Sequence, residues 1–148
     1  MQFYIVHPEP ETNAKLLPDY AIKRVNVREG YSIISDIAHR FGITWEGQNK
    51  PYNPYHPLTR TFSNRKAFWD FHQHYHCCCI EYERRCGATR KEITTYTEAI
   101  KRGKFQDIWR VLPEDAEAET CHYLLTRKAK HLSPAEVQAL ENFSKNMC

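Results

Sequence analysis

A lysine on the apolar side of an amphipathic helix is the first residue whose position suggests chemistry. The residues between Asp19 and Phe41 have helical periodicity, and Lys23 projects from the half of the helical wheel that carries the apolar side chains. An ammonium group there either extends past the helix start into solvent or loses hydration, which lowers its pKa. Because a desolvated lysine amine can form a Schiff base, Lys23 is a candidate nucleophile, with extension into solvent as the alternative.

Charged residues of the same helix form a small candidate site for phosphate binding. Arg24 and Arg28 are one turn apart on the polar half, where they can contact consecutive phosphates, and Glu29 lies at the edge of both halves. The polar half also carries Ser32, Ser35, Asp36 and His39. A further basic stretch over residues 60–104 has ten Lys/Arg and five Asp/Glu. Such cations either contact phosphates or belong to ordinary solvated helix faces.

An irregular segment over residues 43–63 carries aromatic residues that suit base binding. Among them are Trp45, Tyr52 and Tyr55. Loops of this length are uncommon in compact domains and often bind ligands. Aromatic faces beside Arg and Lys stack on unpaired bases, each stack contributing about 1–3 kcal/mol. Alternatively these rings simply cover the neighbouring helices. In the first case His56 lies at the lip of the binding pocket and is a further site candidate.

Two histidines have the spacing of a metal-binding pair. His72 and His76 are four residues apart on one predicted helix face, so two imidazoles can share a metal ion. The available further donors are Cys79, Glu83, His56 and His122. However, the sequence has no His-Glu-x-x-His motif and no paired cysteines at zinc-finger spacing. We therefore expect hydrogen-bonding or structural roles for these histidines, no metal and no cofactor, with a metal-dependent hydrolase as the weakest alternative.

The elements that must position these residues are mostly helices. Residues 3–6 have extended character, and the prolines of residues 7–10 oppose a helix there. Helical patterns cover residues 19–41 and 64–86, the second with Gly87 as its stop. Its aromatic stripe predicts a core face formed by Phe68, Phe71, Tyr75, Cys78, Cys79, Tyr82 and Cys86. Further helices are predicted over residues 94–101, 105–112, 114–130 and from residue 133 onward.

Length and composition fit one globular domain. The chain has 148 residues, of which 41% are hydrophobic and 26% charged, and this excludes disordered and fibrous classes. No uninterrupted apolar run exceeds four residues. We therefore expect neither a membrane span nor a secretion signal, and a cytoplasmic protein. The net charge of +3 is too small to indicate nucleic-acid binding by itself. The expected fold is mainly α, a single compact helical domain over residues 1–148 with a short N-terminal extended segment.

Three short stretches carry a resemblance to a known family. They are Leu17-Pro18-Asp19 leading into the helix with Lys23 and Arg24, the dipeptide His56-Pro57, and the helix end Glu81-Tyr82-x-x-Arg85-Cys86-Gly87. Through them about the first 90 residues resemble small phage and bacterial proteins that are described as similar to pyrimidine-dimer DNA glycosylases. The chain departs from that pattern because Val27 and Arg28, and no glutamate, stand four residues after Lys23 and Arg24. The tryptophan expected soon after the His-Pro dipeptide is absent as well.

The resemblance implies a helical domain that flips a damaged nucleotide out of the duplex and attacks the sugar C1′ with an amine. On this view the amine is the α-amino group of Met1, whose reference pKa near 8 leaves more free base at neutral pH than a lysine, and Lys23 is the rival. Glu29 would move protons or stabilise the sugar cation. The phosphates would be held by Arg24, Arg28, Arg65 and Lys66.

We therefore expect a DNA-directed protein similar to a pyrimidine-dimer DNA glycosylase, with abasic-site lyase activity through an imine. The alternative is a non-catalytic nucleotide or nucleic-acid binding protein that uses the aromatic loop and the neighbouring basic residues without cleaving anything. DNA or a nucleotide is the expected partner in both cases, and a membrane in neither.

Overall fold

A computed structural model describes residues 3–53 and 56–114, with the side chains of Pro57 and Leu58 excepted. Met1, Tyr55, His122 and the helices predicted beyond Glu114 lie outside these residues. The order of elements is α1 (Pro10–Leu16), a π-helical turn (Ala21–Asn26) that continues into α2 (Val27–Arg40), α3 (Pro57–Thr61), α4 (Arg65–Cys86), α5 (Lys91–Lys101) and α6 (Lys104–Val111). The described ranges contain no β-strand, so the prediction of a mainly α fold is confirmed.

The long helix α4 is central, because it packs against α1, α2 and α6. The Asn64 side chain accepts the Ala67 N–H at its start, and Gly87 ends it with a left-handed φ of +64°. The predicted helix over residues 64–86 is thus confirmed. The predicted core stripe is buried as far as Cys79, whereas Tyr82 is half-buried and Cys86 is exposed near the helix end.

Helix α1 begins inside the segment where prolines were expected to oppose a helix. Pro10 occupies the first helical position, where the missing N–H is not needed and the fixed φ of proline suits a helix. The Glu9 carboxylate accepts the N–H of Glu11 at 3.1 Å and the N–H of Thr12 at 2.6 Å. The prediction is therefore wrong at Pro10, because a proline that opposes a helix interior favours a helix start.

The π-helical turn changes which residues of the following helix are buried. A π-turn holds more residues than an α-turn, so it rotates the positions that follow relative to a regular helical wheel. Asn26 lies at the end of this turn and is fully buried. Its side chain donates from Nδ2 to the Tyr4 carbonyl at 3.0 Å, and its Oδ1 accepts the Tyr4 N–H at 2.9 Å.

The N-terminal segment is extended, as predicted, but its hydrogen-bond partners are side chains. Besides the two bonds between Tyr4 and Asn26, the N–H of Val6 donates to Asn13 Oδ1 at 2.6 Å. Buried backbone groups need partners, and in the described chain two asparagines replace the neighbouring strand. The segment is therefore held between α1, α2 and α4 without forming a sheet.

Helices α2 and α4 pack closely at Gly30. A Cβ atom there would lie 2.5 Å from Tyr75 Cδ1 and 2.8 Å from Phe3 Cε2, so a larger residue would displace both rings. The Tyr75 hydroxyl donates to the Val27 carbonyl at 2.8 Å and joins the two helices. None of the described helices is long and apolar enough to cross a membrane.

Candidate nucleic-acid interface

The irregular segment after α2 folds back along the outer face of that helix. The Asp36 carboxylate accepts the backbone N–H of Tyr52 at 3.0 Å and that of Asn53 at 2.9 Å. Asn49 donates from Nδ2 to Ser32 Oγ at 3.3 Å. Hydrogen bonds to two side chains that lie about one turn apart on α2 therefore fix the segment in place.

The returning segment corrects one expectation from the helical wheel, which placed Ser35 and Asp36 on the polar, solvent-facing half of the helix. Both residues are buried, because the returning segment lies over them. Gln48 donates from Nε2 to the Ser35 carbonyl at 3.4 Å, and His39 Nε2 lies 2.8 Å from the Asn49 carbonyl oxygen. A helical wheel cannot predict this burial, since the covering residues belong to another part of the chain.

Three exposed cations and one exposed aromatic ring lie on the π-helical turn, on the first turn of α2 and on the segment that covers α2. We call Arg24, Arg28, Lys50 and Tyr52 the α2 edge; all four are exposed, and Tyr52 is exposed by 75%. Within the described residues none of the three cations has an ion-pair partner. Ser32 connects the two parts of this edge. Its Oγ donates to the Arg28 carbonyl at 3.4 Å and accepts from Asn49, the neighbour of Lys50.

Trp45 does not belong to this exposed group. It is only 8% exposed, its Nε1 donates to the Tyr31 hydroxyl at 3.1 Å, and its ring meets Phe105 edge-on at 6.4 Å between centroids. Of the two interpretations of the loop aromatics, packing therefore holds for Trp45, and its indole has no free face for a base. The structure leaves Tyr52 as the exposed ring among the described members of that set.

Lys23 extends to solvent. Its side chain is 38% exposed, and its Nζ lies 3.5 Å from Asp19 Oδ2, one turn earlier in the chain. On the other side, Arg90 donates from Nη1 to the Lys23 carbonyl at 3.1 Å. The geometry thus corresponds to the solvent-extended alternative, and the amine has a carboxylate partner instead of a dry apolar pocket.

Glu29 and His56 occupy different parts of the structure. Glu29 is half-buried in the first turn of α2. Burial raises the pKa of Tyr4, and the nearby Tyr20 and Glu29 raise it further, so these three side chains share one region. His56 is half-buried at the start of α3, where its N–H donates to the Asn53 carbonyl at 3.0 Å.

Arg65 and Lys66 lie at the start of α4, on a different element from Arg24 and Arg28. Lys66 is exposed. The Arg65 guanidinium lies 4.3 Å from the centroid of the Trp109 ring and 2.9 Å from Glu114 Oε1, and its Nε donates to the Trp109 carbonyl at 2.9 Å. The predicted phosphate contacts are therefore divided between two regions, and Arg65 is already engaged in holding the end of α6.

A cleft beside Arg65 is formed by residues that sequence reasoning did not single out. Trp69, Gln106, Trp109 and Arg110 line a volume of about 540 Å³. The signal that could have found it is at Trp109, because Phe105, Ile108 and Leu112 form the apolar face of α6 and Trp109 lies off that face.

His72 and His76 are joined by a tyrosine. The Tyr96 hydroxyl lies 2.9 Å from His72 Nδ1 and 3.3 Å from His76 Nδ1, so it occupies the point on which these nitrogens converge. Burial, with a smaller contribution from His76, lowers the pKa of His72 to about 4. The part of the chain that the structure covers holds no cluster of three or more metal-binding side chains. Both histidines have a hydrogen-bond partner in Tyr96.

Two of the stretches that carry the family resemblance meet in a salt-bridged junction. We call Asp19, Glu81, Arg84 and Arg85 the arginine junction. Arg85 Nε lies 2.8 Å from Glu81 Oε1, and Arg85 Nη1 lies 3.0 Å from Asp19 Oδ1. Arg85 Nη2 also donates to the Ala14 carbonyl at 3.2 Å, at the end of α1. These residues join α4 to α1 and to the turn before α2, so their role is structural.

Comparison with protein-family models, with curated proteins and with solved structures found no match for this chain.

Proposed function

We propose that the protein binds nucleic acid with unpaired bases through the α2 edge. In this proposal Arg24, Arg28 and Lys50 contact successive phosphates, and the ring of Tyr52 stacks on a base. The observation that carries the proposal is the set of three exposed cations that have no ion-pair partner in the described part of the chain, together with a tyrosine ring that is 75% exposed. Aromatic faces next to such cations are the usual platform for single strands.

The rigidity of the segment after α2 supports this function. Asp36 holds the backbone at Tyr52 and Asn53, so the Tyr52 ring is presented from a fixed position. A preorganised contact loses less conformational freedom on binding than one on a loose loop. The Asp36 carboxylate itself is buried and directed at two N–H groups, which reduces its repulsion of a phosphate at the surface.

The salt dependence of binding tests the proposal. Fluorescence anisotropy with a labelled single-stranded oligodeoxynucleotide should give an affinity that falls steeply with salt. We expect Arg24→Ala, Arg28→Ala and Lys50→Ala each to reduce the slope of log affinity against log salt concentration by about 0.7. Tyr52→Ala should weaken binding by about 5- to 150-fold with little change in slope, because stacking involves no counterion release.

Lys15→Ala is the matched control for these variants. Lys15 is an exposed cation on α1 that has no ion-pair partner in the described chain. We expect its removal to leave slope and affinity unchanged. Equal losses in Lys15→Ala and Arg28→Ala would show general attraction to any basic surface and would overturn the proposal, as would an affinity equal for duplex and single strand.

A second candidate is glycosylase and lyase chemistry on the bound nucleic acid. The observation that favours it is the fixed position of the N-terminal segment, since Tyr4 is anchored by Asn26 and lies close enough to Glu29 for its pKa to respond to that carboxylate. Imine chemistry at a sugar requires an amine and a carboxylate that moves protons, and Glu29 is the carboxylate of this candidate. The partly exposed Lys23, paired with Asp19, is the other amine.

Borohydride trapping tests this second candidate separately. With abasic or dimer-containing DNA the reductant converts an imine between protein and sugar into a stable adduct. We expect an adduct that is lost when the N-terminus is acetylated and that persists in Lys23→Ala, or the reverse if Lys23 is the nucleophile. Binding without any adduct would leave the protein a non-catalytic binder.

A further inference from the structure

Two exposed tryptophans face one cleft on the side of the molecule formed by α4 and α6. Trp69 is 42% exposed and Trp109 is 41% exposed, and with Gln106 and Arg110 they line the cleft of about 540 Å³. This volume lies within the roughly 300–1,000 Å³ of small-molecule sites. Neighbouring exposed tryptophans are a costly use of surface unless they contact a ligand or partner. We call these four residues the tryptophan cleft.

Each indole ring contacts a side chain that is itself fixed by other contacts. The Arg65 guanidinium lies 4.3 Å from the Trp109 centroid, and three further polar contacts hold it there, to the carbonyls of Trp109 and Arg110 and to the Glu114 carboxylate. Trp69 meets the His72 ring edge-on at 5.4 Å between centroids, and His72 is fixed by the Tyr96 hydroxyl. The walls of the cleft are therefore preorganised, which reduces the entropy lost when a ring enters.

The lining defines the chemistry of the ligand. Two indoles offer apolar faces for a planar aromatic ring. The Gln106 amide has both a donor and an acceptor, which suit the edge of a heterocycle. Arg110 is the one charged residue among the described residues of the lining, and its side chain is 71% exposed. Its Nη1 lies 3.6 Å from Asp107 Oδ1, a weak surface ion pair that leaves other guanidinium N–H groups able to contact an anion. A flat heterocycle with an attached anionic group satisfies all three requirements.

We propose that the tryptophan cleft is a second binding site, which takes the base of a phosphate-bearing nucleotide. The base stacks on the indoles, Gln106 contacts its edge, and Arg110 contacts the phosphate. The ligand is either a free mononucleotide or the end of a strand, since both present the same base and phosphate. This site is separate from the α2 edge, and its argument does not depend on Arg24, Arg28, Lys50 or Tyr52.

Tryptophan fluorescence and isothermal titration calorimetry with deoxyadenosine 5′-monophosphate test the proposal. We expect saturable quenching of the intact chain, and weaker binding of deoxyadenosine, which lacks the phosphate. Trp69→Ala and Trp109→Ala should each weaken nucleotide binding by about 5- to 150-fold. Arg110→Ala should remove the preference for the nucleotide over the nucleoside. Trp45→Phe, a change at a buried ring, is the control and should leave binding unchanged.

A 5′-phosphorylated oligonucleotide, added to a variant with Arg24→Ala, Arg28→Ala and Lys50→Ala, distinguishes the two sources. If the mononucleotide binds this variant, a free nucleotide is a sufficient ligand for the cleft. If the strand binds and the mononucleotide does not, the ligand is the end of a strand. The proposal is overturned if neither ligand binds saturably, or if Arg110→Ala, checked for folding by circular dichroism, binds nucleotide and nucleoside as the intact chain does. Loss of strand binding in the α2-edge variants with intact mononucleotide binding would separate this site from the proposed function.

Discussion

The arginines of the arginine junction and those of the α2 edge have the same side chain in opposite surroundings. Arg85 contacts two carboxylates and the carbonyls of Ala14 and Lys15, and its side chain is only 14% exposed. Arg24 and Arg28 are exposed and have no ion-pair partner within the described ranges. An arginine whose donors are satisfied by the protein stabilises the fold, whereas one whose donors face water remains able to bind phosphate. Local sequence does not distinguish these two cases.

The largest expected effect is at the junction. We expect Arg85→Ala to lower the free energy of unfolding by about 3–5 kcal/mol, because it leaves the buried Glu81 carboxylate with one partner fewer and exposes the end of α1. Urea unfolding measures this change. Arg28→Ala is the matched control; equal losses in the two variants would remove the distinction between junction and edge.

Acidification should destabilise the core while both sets of arginines stay charged. The folded pKa of His72 is about 4 because of burial, against about 6.5 in the unfolded chain, so the unfolded state takes up the proton first as the pH falls. The contribution of His72 to the free energy of unfolding is therefore fully present above pH 6.5. It decreases by about 3 kcal/mol as the pH falls from 6.5 to about 4. The free energy of unfolding can be measured across this pH range in His72→Gln, which cannot be protonated, and it should decrease less than in the intact chain. An equal decrease in the variant would mean that another group causes it. The next candidate is His74, whose pKa is also lowered by burial.

A smaller effect is expected where stability and binding are connected. Asp36→Ala removes the acceptor of two backbone N–H groups and should lower the free energy of unfolding by about 2 kcal/mol. It should also weaken single-strand binding, because the Tyr52 ring is no longer held. Hydrogen exchange of the Tyr52 and Asn53 amides measures the loosening directly. In Asp36→Asn, which keeps one acceptor oxygen, the exchange rates should lie between those of the intact chain and those of Asp36→Ala. Unchanged exchange in Asp36→Ala would show that other contacts hold the segment.

The smallest effect on stability is expected at the α2 edge itself. Arg24→Ala and Arg28→Ala should change the free energy of unfolding by no more than about 0.5 kcal/mol, since neither side chain has an ion-pair partner in the described part of the chain. Their effect is on the salt dependence of binding instead. A large loss of stability in either variant, measured by urea unfolding, would show that these arginines are structural as well.

Helix positions could be predicted where their signals are local. The cap at Asn64, the stop at Gly87 and the stripe from Phe68 to Cys79 all lie within one helix, and α4 follows them residue by residue. The start of α1 also has local signals, at Glu9 and Pro10, but the prediction there is wrong because the effect of a proline depends on its position in the helix.

The candidate site could be predicted only in part. Arg24, Arg28 and Tyr52 are exposed, as a binding role requires, but Trp45 is in the core and Lys23 is paired with Asp19. Asp36 and Asn49, which hold the segment after α2, act on residues up to 17 positions away, and nothing in their neighbourhood indicates these partners. The tryptophan cleft depends on Trp69 and Trp109, which line the same cleft only because α6 packs on α4.

By itself the sequence determined a mainly helical fold and most of its helix limits, because capping and periodicity act over one or two turns. Only the tertiary structure decided which charges are satisfied and which remain exposed. Arg85 reaches Asp19 across 66 positions of sequence, and Arg65 reaches the Trp109 carbonyl across 44. A charged group is satisfied or left in water according to what packs beside it, and that is a property of the folded arrangement.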